Sequence, residues 1–167
     1  MHRHQREWLK LSADERAAWS GFLRSYAEVV RRLDGELERE HGLTLNSYDV
    51  LVQLSLAPNV GLRMSELADA VLLSRAGVSH LVERLERSGL VERRPGERDT
   101  RQVFARVTER GLDLLARCTP SHLAVAREQF LDRLSDSQKR ELAAAWRAIL
   151  EPASAPSEGV RPDAEAG

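Results

Sequence analysis

The sequence predicts a mainly α-helical fold that carries one small β-hairpin. Most of the 167 residues fall in helix-length segments whose apolar side chains recur every three or four positions. The segment 102–107 instead alternates valine or alanine with other residues, which is the period of a half-buried strand. A second strand is expected at 90–94, and the charged, turn-forming stretch 95–101 between the two strands is typical of a hairpin tip.

Capping residues predict where the first two helices begin and end. Ser12 and Glu15 have the spacing of a capping box, and a long apolar stripe follows until Gly42 ends the helix. Thr44 is the expected cap of the second helix, which stops before Pro58.

Two short helices joined by a tight turn come next. We expect Ser65 to cap the first, which runs to Val71, and Ser74 to cap the second, which ends at Gly89. Short helices with so brief a connection are typical of a helix-turn-helix. Together with the hairpin at 90–107, they predict a winged helix-turn-helix.

The second of these helices, at about 74–88, has one apolar and one polar face. Spacing predicts that four residues pack inward: Val78, Leu81, Val82 and Leu85. The other face combines small residues with hydrogen-bond donors: Ser74, Arg75, Ala76, Ser79, His80 and Arg84. Such a face suits the major groove of duplex DNA, where base edges present acceptors. For Arg84, an ion pair with a nearby acid is the alternative.

The hairpin tip carries the other predicted DNA contacts. Arg98 and Arg101 suit a narrow minor groove, whose negative potential attracts arginine. We expect Asp99 to orient Arg101, because a phosphate would repel its carboxylate.

The charge distribution agrees with a nucleic-acid partner although the formal net charge is −1. Between residues 75 and 106 there are eight arginines and five acidic residues, whereas 151–167 contains four acidic residues and one arginine. The tail at 152–167 is rich in Pro, Ala, Ser, Glu and Gly, and we expect it to be disordered.

Two further helices are expected after the hairpin. Thr108 caps the first, and Thr119-Pro120 either begins a new helix or kinks the same one. A capping box that begins at Ser135 opens the last helix.

The sequence resembles the multiple-antibiotic-resistance regulator (MarR) family from about residue 43 to residue 134. Five segments in the family's order and spacing carry the resemblance: 62–68 (LRMSELA), 73–79 (LSRAGVS), 84–93 (RLERSGLVER), 99–101 (DTR) and 107–111 (VTERG). Gln102 departs from the pattern, since many members have glycine there.

The resemblance implies a transcriptional regulator, in most cases a repressor, that binds a palindromic duplex operator as a homodimer. It also implies release from DNA by a small aromatic effector bound between the first, second and fifth helices. Trp19, Tyr26 and Tyr48 are candidates for lining that pocket, and the alternative is that they are core or interface residues.

Length and apolar pattern together predict the organisation of the chain. The stripes at both ends exceed what a small winged-helix core would cover, so we expect residues 1–40 and 111–151 to form dimerisation helices. The DNA-binding domain then occupies 41–110.

Composition and motifs argue against several other classes. The sequence has no apolar run of membrane-spanning length, and its basic N-terminus lacks the apolar stretch of a secretory signal, so we expect a cytoplasmic protein. No catalytic motif, cofactor loop or metal-ligand spacing is evident, and Cys118, the one cysteine, is expected to be buried and inert. A protein-binding winged helix and, more remotely, a small enzyme are the alternative functions.

Overall fold

A computed structural model of the chain describes residues 8–58, 61–71, 73–96 and 102–150. The chain forms two compact units, Met1–Arg133 and Leu134–Gly167. The helices are α1 (Ala13–His41), α2 (Leu45–Leu56), α3 (Met64–Ala70), α4 (Arg75–Arg87), α5 (Glu109–Gln129) and α6 (Asp136–Leu150), with a 3₁₀ turn at Leu131–Arg133. The strands are β1 (Leu62–Arg63), β2 (Val91–Pro95) and β3 (Val103–Val107). The mainly α-helical prediction is confirmed.

The predicted capping residues position α1 and α2. Ser12 Oγ accepts from the Glu15 N–H at 3.1 Å, and the Ser12 N–H donates to Glu15 Oε2 at 2.6 Å, so the capping box is formed. Gly42 ends α1 with a φ of 62°, a left-handed conformation that glycine adopts without steric cost. Thr44 Oγ1 then accepts from the Ser47 N–H at 3.3 Å and caps α2.

The prediction that Ser65 caps α3 is wrong. The helix begins two residues earlier than predicted, at Met64, with Arg63 at the cap position. The reason is that the Glu66 carboxylate reaches back and accepts from the Arg63 N–H at 2.9 Å. A glutamate at the third helical position therefore satisfies the N–H of the cap residue, which is the carboxylate half of a capping box.

The core of the first unit lies where α2, α3, α4, α5 and the sheet meet. Its fully buried side chains include Leu51 of α2, Leu67 of α3, Val82 of α4, Ala105 of β3 and Cys118 of α5. Apolar residues from five elements thus exclude water from one cluster, and that burial fixes how the helix-turn-helix sits on the rest of the unit.

The hairpin belongs to a three-stranded antiparallel sheet in the order β1-β3-β2. Leu62 of β1 and Arg93 of β2 are both paired with Ala105 of β3. The predicted hairpin is therefore present, whereas the strand β1 was not expected. A two-residue segment shows no strand period of its own, and only β3 provides its partner.

Helix α5 continues through Thr119 and Pro120, so, of the two alternatives predicted there, a new helix capped by Thr119 is wrong. Thr119 lies inside the helix, and its hydroxyl donates to the Leu115 carbonyl at 2.8 Å. Pro120 lacks only one N–H, and the packing of α5 on the unit outweighs that lost bond.

The second unit contains α6. The Ser135 N–H donates to Gln138 Oε1 at 2.9 Å, and Ser135 Oγ accepts from the Gln138 N–H at 3.3 Å, so the predicted capping box is formed. The predicted disordered tail at 152–167 lies outside the described residues.

Candidate nucleic-acid interface

Helix α4 presents the two faces that its sequence predicts. Ser74 Oγ accepts from the Gly77 N–H at 3.1 Å and caps the helix. The four inward residues are buried: Val78, Leu81, Val82 and Leu85. Because they anchor one side of the helix in the core, the opposite side is held rigidly toward solvent.

The solvent face of α4 contains all six residues predicted there. Each is exposed: Ser74, Arg75, Ala76, Ser79, His80 and Arg84. Near its N-terminus this face has small side chains, so the backbone of the helix could approach a base edge closely. Its donors are hydroxyl, imidazole and guanidinium groups, which match acceptors on guanine and adenine.

Arg84 is oriented by hydroxyls at the N-terminus of α2. Its Nη2 donates to Ser47 Oγ at 3.1 Å and lies 3.5 Å from Thr44 Oγ1. Ser47 is only 2% exposed, and within the described part of the chain it is the one buried residue of the polar or charged type. Among the described residues the hydrogen-bond partners of Arg84 are therefore hydroxyls, not the carboxylate of the alternative prediction.

The same end of α2 is also tied to α1. Asp34 Oδ1 accepts from the Leu45 N–H at 2.7 Å, which satisfies one of the free donors at the start of α2. A series of hydrogen bonds therefore connects α1, the N-terminus of α2 and α4.

Two further arginines lie in the sheet, Arg63 in β1 and Arg93 in β2. The Arg63 guanidinium is 5.8 Å from the centre of the Phe104 ring, which is a cation–π distance. Arg93 of β2 forms an ion pair with Glu86 of α4, with 2.6 Å between Arg93 Nη2 and Glu86 Oε2. The sequence contained no signal for either contact, because each joins residues whose proximity depends on the sheet.

The predicted tip residues Arg98, Asp99 and Arg101 lie outside the described residues. Their assignment as DNA contacts remains a prediction.

The three aromatic residues proposed for an effector pocket lie in two different environments. Tyr48 is buried and stacks on His122 of α5, with 4.4 Å between ring centres. Trp19 and Tyr26 are 49% and 61% exposed on α1, where each ring neighbours that of Phe22. Tyr48 therefore belongs to the helix-packed interior, whereas Trp19 and Tyr26 belong to an outer apolar face.

Polar groups surround Tyr48 at the contact of α1, α2 and α5. The Tyr48 hydroxyl is 3.4 Å from Thr119 Oγ1, and His41 Nε2 is 3.1 Å from Ser121 Oγ. The Nδ1 atom of His122 is buried without a hydrogen-bond partner among the described residues. Desolvation lowers the pKa of His122, so its ring is neutral at neutral pH.

Cys118 is fully buried, as predicted. Burial raises the pKa of its thiol, and the positive charge of Arg117 only partly opposes that shift. A buried thiol with a raised pKa is a poor nucleophile at neutral pH.

Comparison with known proteins decides the family. The profile of the MarR family matches residues 41–102, which include α2, α3, α4 and the first strand of the hairpin, β2. The crystal structure of AbsC, a MarR-family transcriptional regulator from Streptomyces coelicolor, is similar at 36% identity, with a TM-score of 0.79. That alignment covers 84% of this chain and 95% of AbsC. The chain belongs to the MarR family. The resemblance of its five sequence segments is therefore confirmed.

Two other solved structures extend the comparison. Sco3205 from Streptomyces coelicolor, solved in complex with DNA, is 34% identical, with a TM-score of 0.79. The alignment covers 85% of this chain and 91% of Sco3205. CouR from Rhodococcus jostii RHA1, solved with bound p-coumaroyl-CoA, is 25% identical, with a TM-score of 0.70 over 81% of this chain and 94% of CouR.

Membership of the MarR family confirms the prediction that the chain is a transcriptional regulator and not an enzyme. Within the described residues, none of the helices is both long enough and apolar enough to span a bilayer.

Proposed function

We propose that this MarR-family chain is a cytoplasmic repressor that binds a palindromic operator as a homodimer and leaves it when a small effector binds. The observation that carries the proposal is the exposed polar face of α4, which the buried residues on its other side hold in place. In the complex, this face enters the major groove of the operator.

Charge near α4 supports a phosphate contact beside the base contacts. Arg84 is exposed, and within the described part of the chain its hydrogen bonds to Ser47 and Thr44 both use Nη2. The remaining guanidinium donors are held in one orientation and suit a phosphate oxygen. Arg98 and Arg101 at the tip add minor-groove contacts, with Asp99 orienting Arg101.

An exposed apolar face supports the homodimer. On α1, Trp19, Phe22, Leu23 and Tyr26 are all exposed, and neighbouring ring centres are 6.0 and 6.3 Å apart. On α6, Ile149 and Leu150 are exposed. Such faces mark protein contacts. We assign α1, α5 and α6 to the interface, which places two copies of α4 in successive major grooves, about 34–36 Å apart.

The proposed effector is a small aromatic compound that binds near Tyr48, between α1, α2 and α5. The stacked Tyr48 and His122 rings, with the hydroxyl of Thr119 beside them, offer aromatic and polar contacts at that place. The CouR structure, which holds an aromatic acyl thioester, gives the proposal a parallel. An effector that prefers the conformation with misplaced α4 helices lowers DNA affinity by its differential binding energy.

The decisive experiment is selection of an operator from a random duplex library, followed by mobility shifts with variants. We expect Arg75→Ala on α4 to weaken the free energy of operator binding by about 1–3 kcal/mol and to relax specificity at one base position per half-site. Arg127→Ala removes an exposed arginine from α5 and is the matched control. Equal losses in both variants, or a selection that yields no sequence, would contradict DNA reading by α4.

The hairpin contribution is tested separately with Arg101→Ala. Loss of a minor-groove or phosphate contact should weaken binding to all duplexes alike and lower the salt slope by about one unit per lost contact. Unchanged affinity and an unchanged slope would remove Arg101 from the interface.

The homodimer is tested by sedimentation with Trp19→Ala and Tyr26→Ala together. We expect the double variant to dissociate at concentrations where the parent chain is dimeric. A parent chain that stays monomeric at micromolar concentration would contradict the proposed palindromic mode.

A further inference from the structure

One carboxylate ties the last turn of α4 to the first strand of the hairpin. Glu86 Oε2 accepts from Arg93 Nε at 2.7 Å and lies 2.6 Å from Arg93 Nη2. The second oxygen, Oε1, accepts from the backbone N–H of Arg93 at 3.2 Å. The side chain and the backbone of Arg93 are therefore both held by one residue of α4.

The backbone bond matters because β2 is an edge strand. Strand β3 lies between β1 and β2, so one edge of β2 has no neighbouring strand in the described sheet. Glu86 takes an N–H of β2 that an edge strand usually leaves to water. The contact fixes the path of the strand and not only the position of a side chain.

The turn between α4 and β2 fixes the other end of the same short loop. Gly89 has a φ of 69°, and its N–H donates to the Glu86 carbonyl at 2.8 Å. The Leu90 N–H donates to the Leu85 carbonyl at 3.0 Å. The turn sets where the hairpin begins, and the Glu86–Arg93 contact sets the direction in which it leaves α4.

The ion pair contributes direction more than stability. About a third of each side chain is exposed, and ion pairs of that kind add little to the free energy of unfolding. The hydrogen bond from Arg93 lowers the pKa of Glu86, so the carboxylate is charged at neutral pH.

We propose that Glu86 is a positioning residue for DNA binding: through Arg93, it sets the direction of the hairpin relative to α4, so that both elements engage one duplex. This inference rests on the proposed function. It deepens that function by assigning a role to an acidic residue of α4 that acts through Arg93 and not through a contact of its own with DNA.

Simple electrostatics predicts the opposite outcome. A carboxylate near the phosphate backbone repels it, so removing any such charge from α4 should tighten DNA binding. Glu83 provides the matched control, because it is exposed on the same helix and no hydrogen bond joins it to Arg93 among the described residues. Its charge still acts on Arg93 through space. The two glutamates therefore differ mainly in the contact under test.

The experiment compares Glu86→Gln with Glu83→Gln on the selected operator duplex. We expect E83Q to bind as well as the parent chain or better, and E86Q to bind about tenfold more weakly with a smaller salt slope. Hydroxyl-radical footprints of E86Q should lose the protection of the minor groove that the hairpin contacts and keep the protection around the base pairs that α4 contacts. In an Arg93→Gln background the side-chain ion pair is already absent and only the bond to the backbone N–H remains, so E86Q should have a much smaller effect than in the parent chain.

A readout without DNA tests the same contact. Amide hydrogen exchange in β2 and β3 should be faster in E86Q than in E83Q, while thermal unfolding of the two variants stays alike. Slower or equal exchange in E86Q would overturn the proposal. If E86Q and E83Q bound the operator equally well while the parent chain bound normally, the role of Glu86 would be overturned and the proposed function would stand. A parent chain that binds no selected duplex would overturn the proposed function as well.

Discussion

Replacement of Gly111 by alanine tests whether the base of the hairpin is packed as tightly against α5 as the structure indicates. A Cβ added at Gly111 would lie 2.7 Å from Val107 Cγ2 and closer still to the Leu90 carbonyl oxygen. That oxygen cannot easily retreat, since it accepts from the Thr108 N–H at 3.1 Å. Overpacking of this kind costs about 1–3 kcal/mol, and the helix propensity gained by alanine offsets only about 0.5–1 kcal/mol of it.

We therefore expect Gly111→Ala to lower the free energy of unfolding by roughly 1–2 kcal/mol, or Tm by about 2–8 °C for a chain of this size. Thermal and urea unfolding monitored by circular dichroism measure the change. Gly35→Ala is the matched control, because no atom lies within 4 Å of its added Cβ and the residue is exposed inside α1. That variant should gain about 0.5–1 kcal/mol. If both variants shifted Tm upward, the close packing of α5 on the hairpin base would be refuted.

Three further predictions follow from buried groups of the first unit. His122 has a pKa lowered by burial, so its protonation favours the unfolded chain, and stability should fall as the pH drops below about 6.5 until the lower folded pKa is passed. His122→Phe keeps a ring against Tyr48 and should flatten that part of the pH profile of Tm; an unchanged profile would assign the dependence elsewhere. Cys118 should react with a disulfide reagent only as fast as the chain opens, and immediately in denaturant; equally fast reaction of the native chain would contradict its burial. Ser47→Ala leaves a guanidinium donor of Arg84 without its nearest acceptor. The variant should lower the free energy of unfolding by about 1 kcal/mol and weaken operator binding. A loss of stability with unchanged operator binding would show that Ser47 does not orient Arg84 for DNA.

Local signals in the sequence located the elements because they act within a few residues. The capping residues Ser12, Thr44, Ser74 and Thr108 all lie where helices begin, and each bonds to a backbone N–H three positions later. Such bonds depend only on neighbouring residues, so they could be predicted without the fold. The error at Ser65 arose in the same range, where the Glu66 carboxylate accepts from the Arg63 N–H and the helix begins two residues before the predicted start.

Contacts between distant segments could not be predicted in the same way. Arg84 was expected on a solvent face, and it is there, but its hydroxyl partners on α2 are 37 and 40 residues away in sequence. Tyr48 was grouped with Trp19 and Tyr26 by residue type, and packing separates it from them. Pro120 lies inside a continuous helix, because burial of the helix outweighs one missing hydrogen bond.

The amino-acid pattern alone determined that this chain forms a helix-turn-helix followed by a hairpin, since periodicity and caps act over one or two helical turns. It also determined which side of α4 faces solvent, because a helix with four aligned apolar residues can bury only that side. Tertiary structure alone decided which polar contacts join α4 to its neighbours: Arg84 donates to the hydroxyl of Ser47, and Arg93 donates to the carboxylate of Glu86. These contacts exist only after burial of the shared core has brought separate elements within hydrogen-bond distance, so no local pattern encodes them.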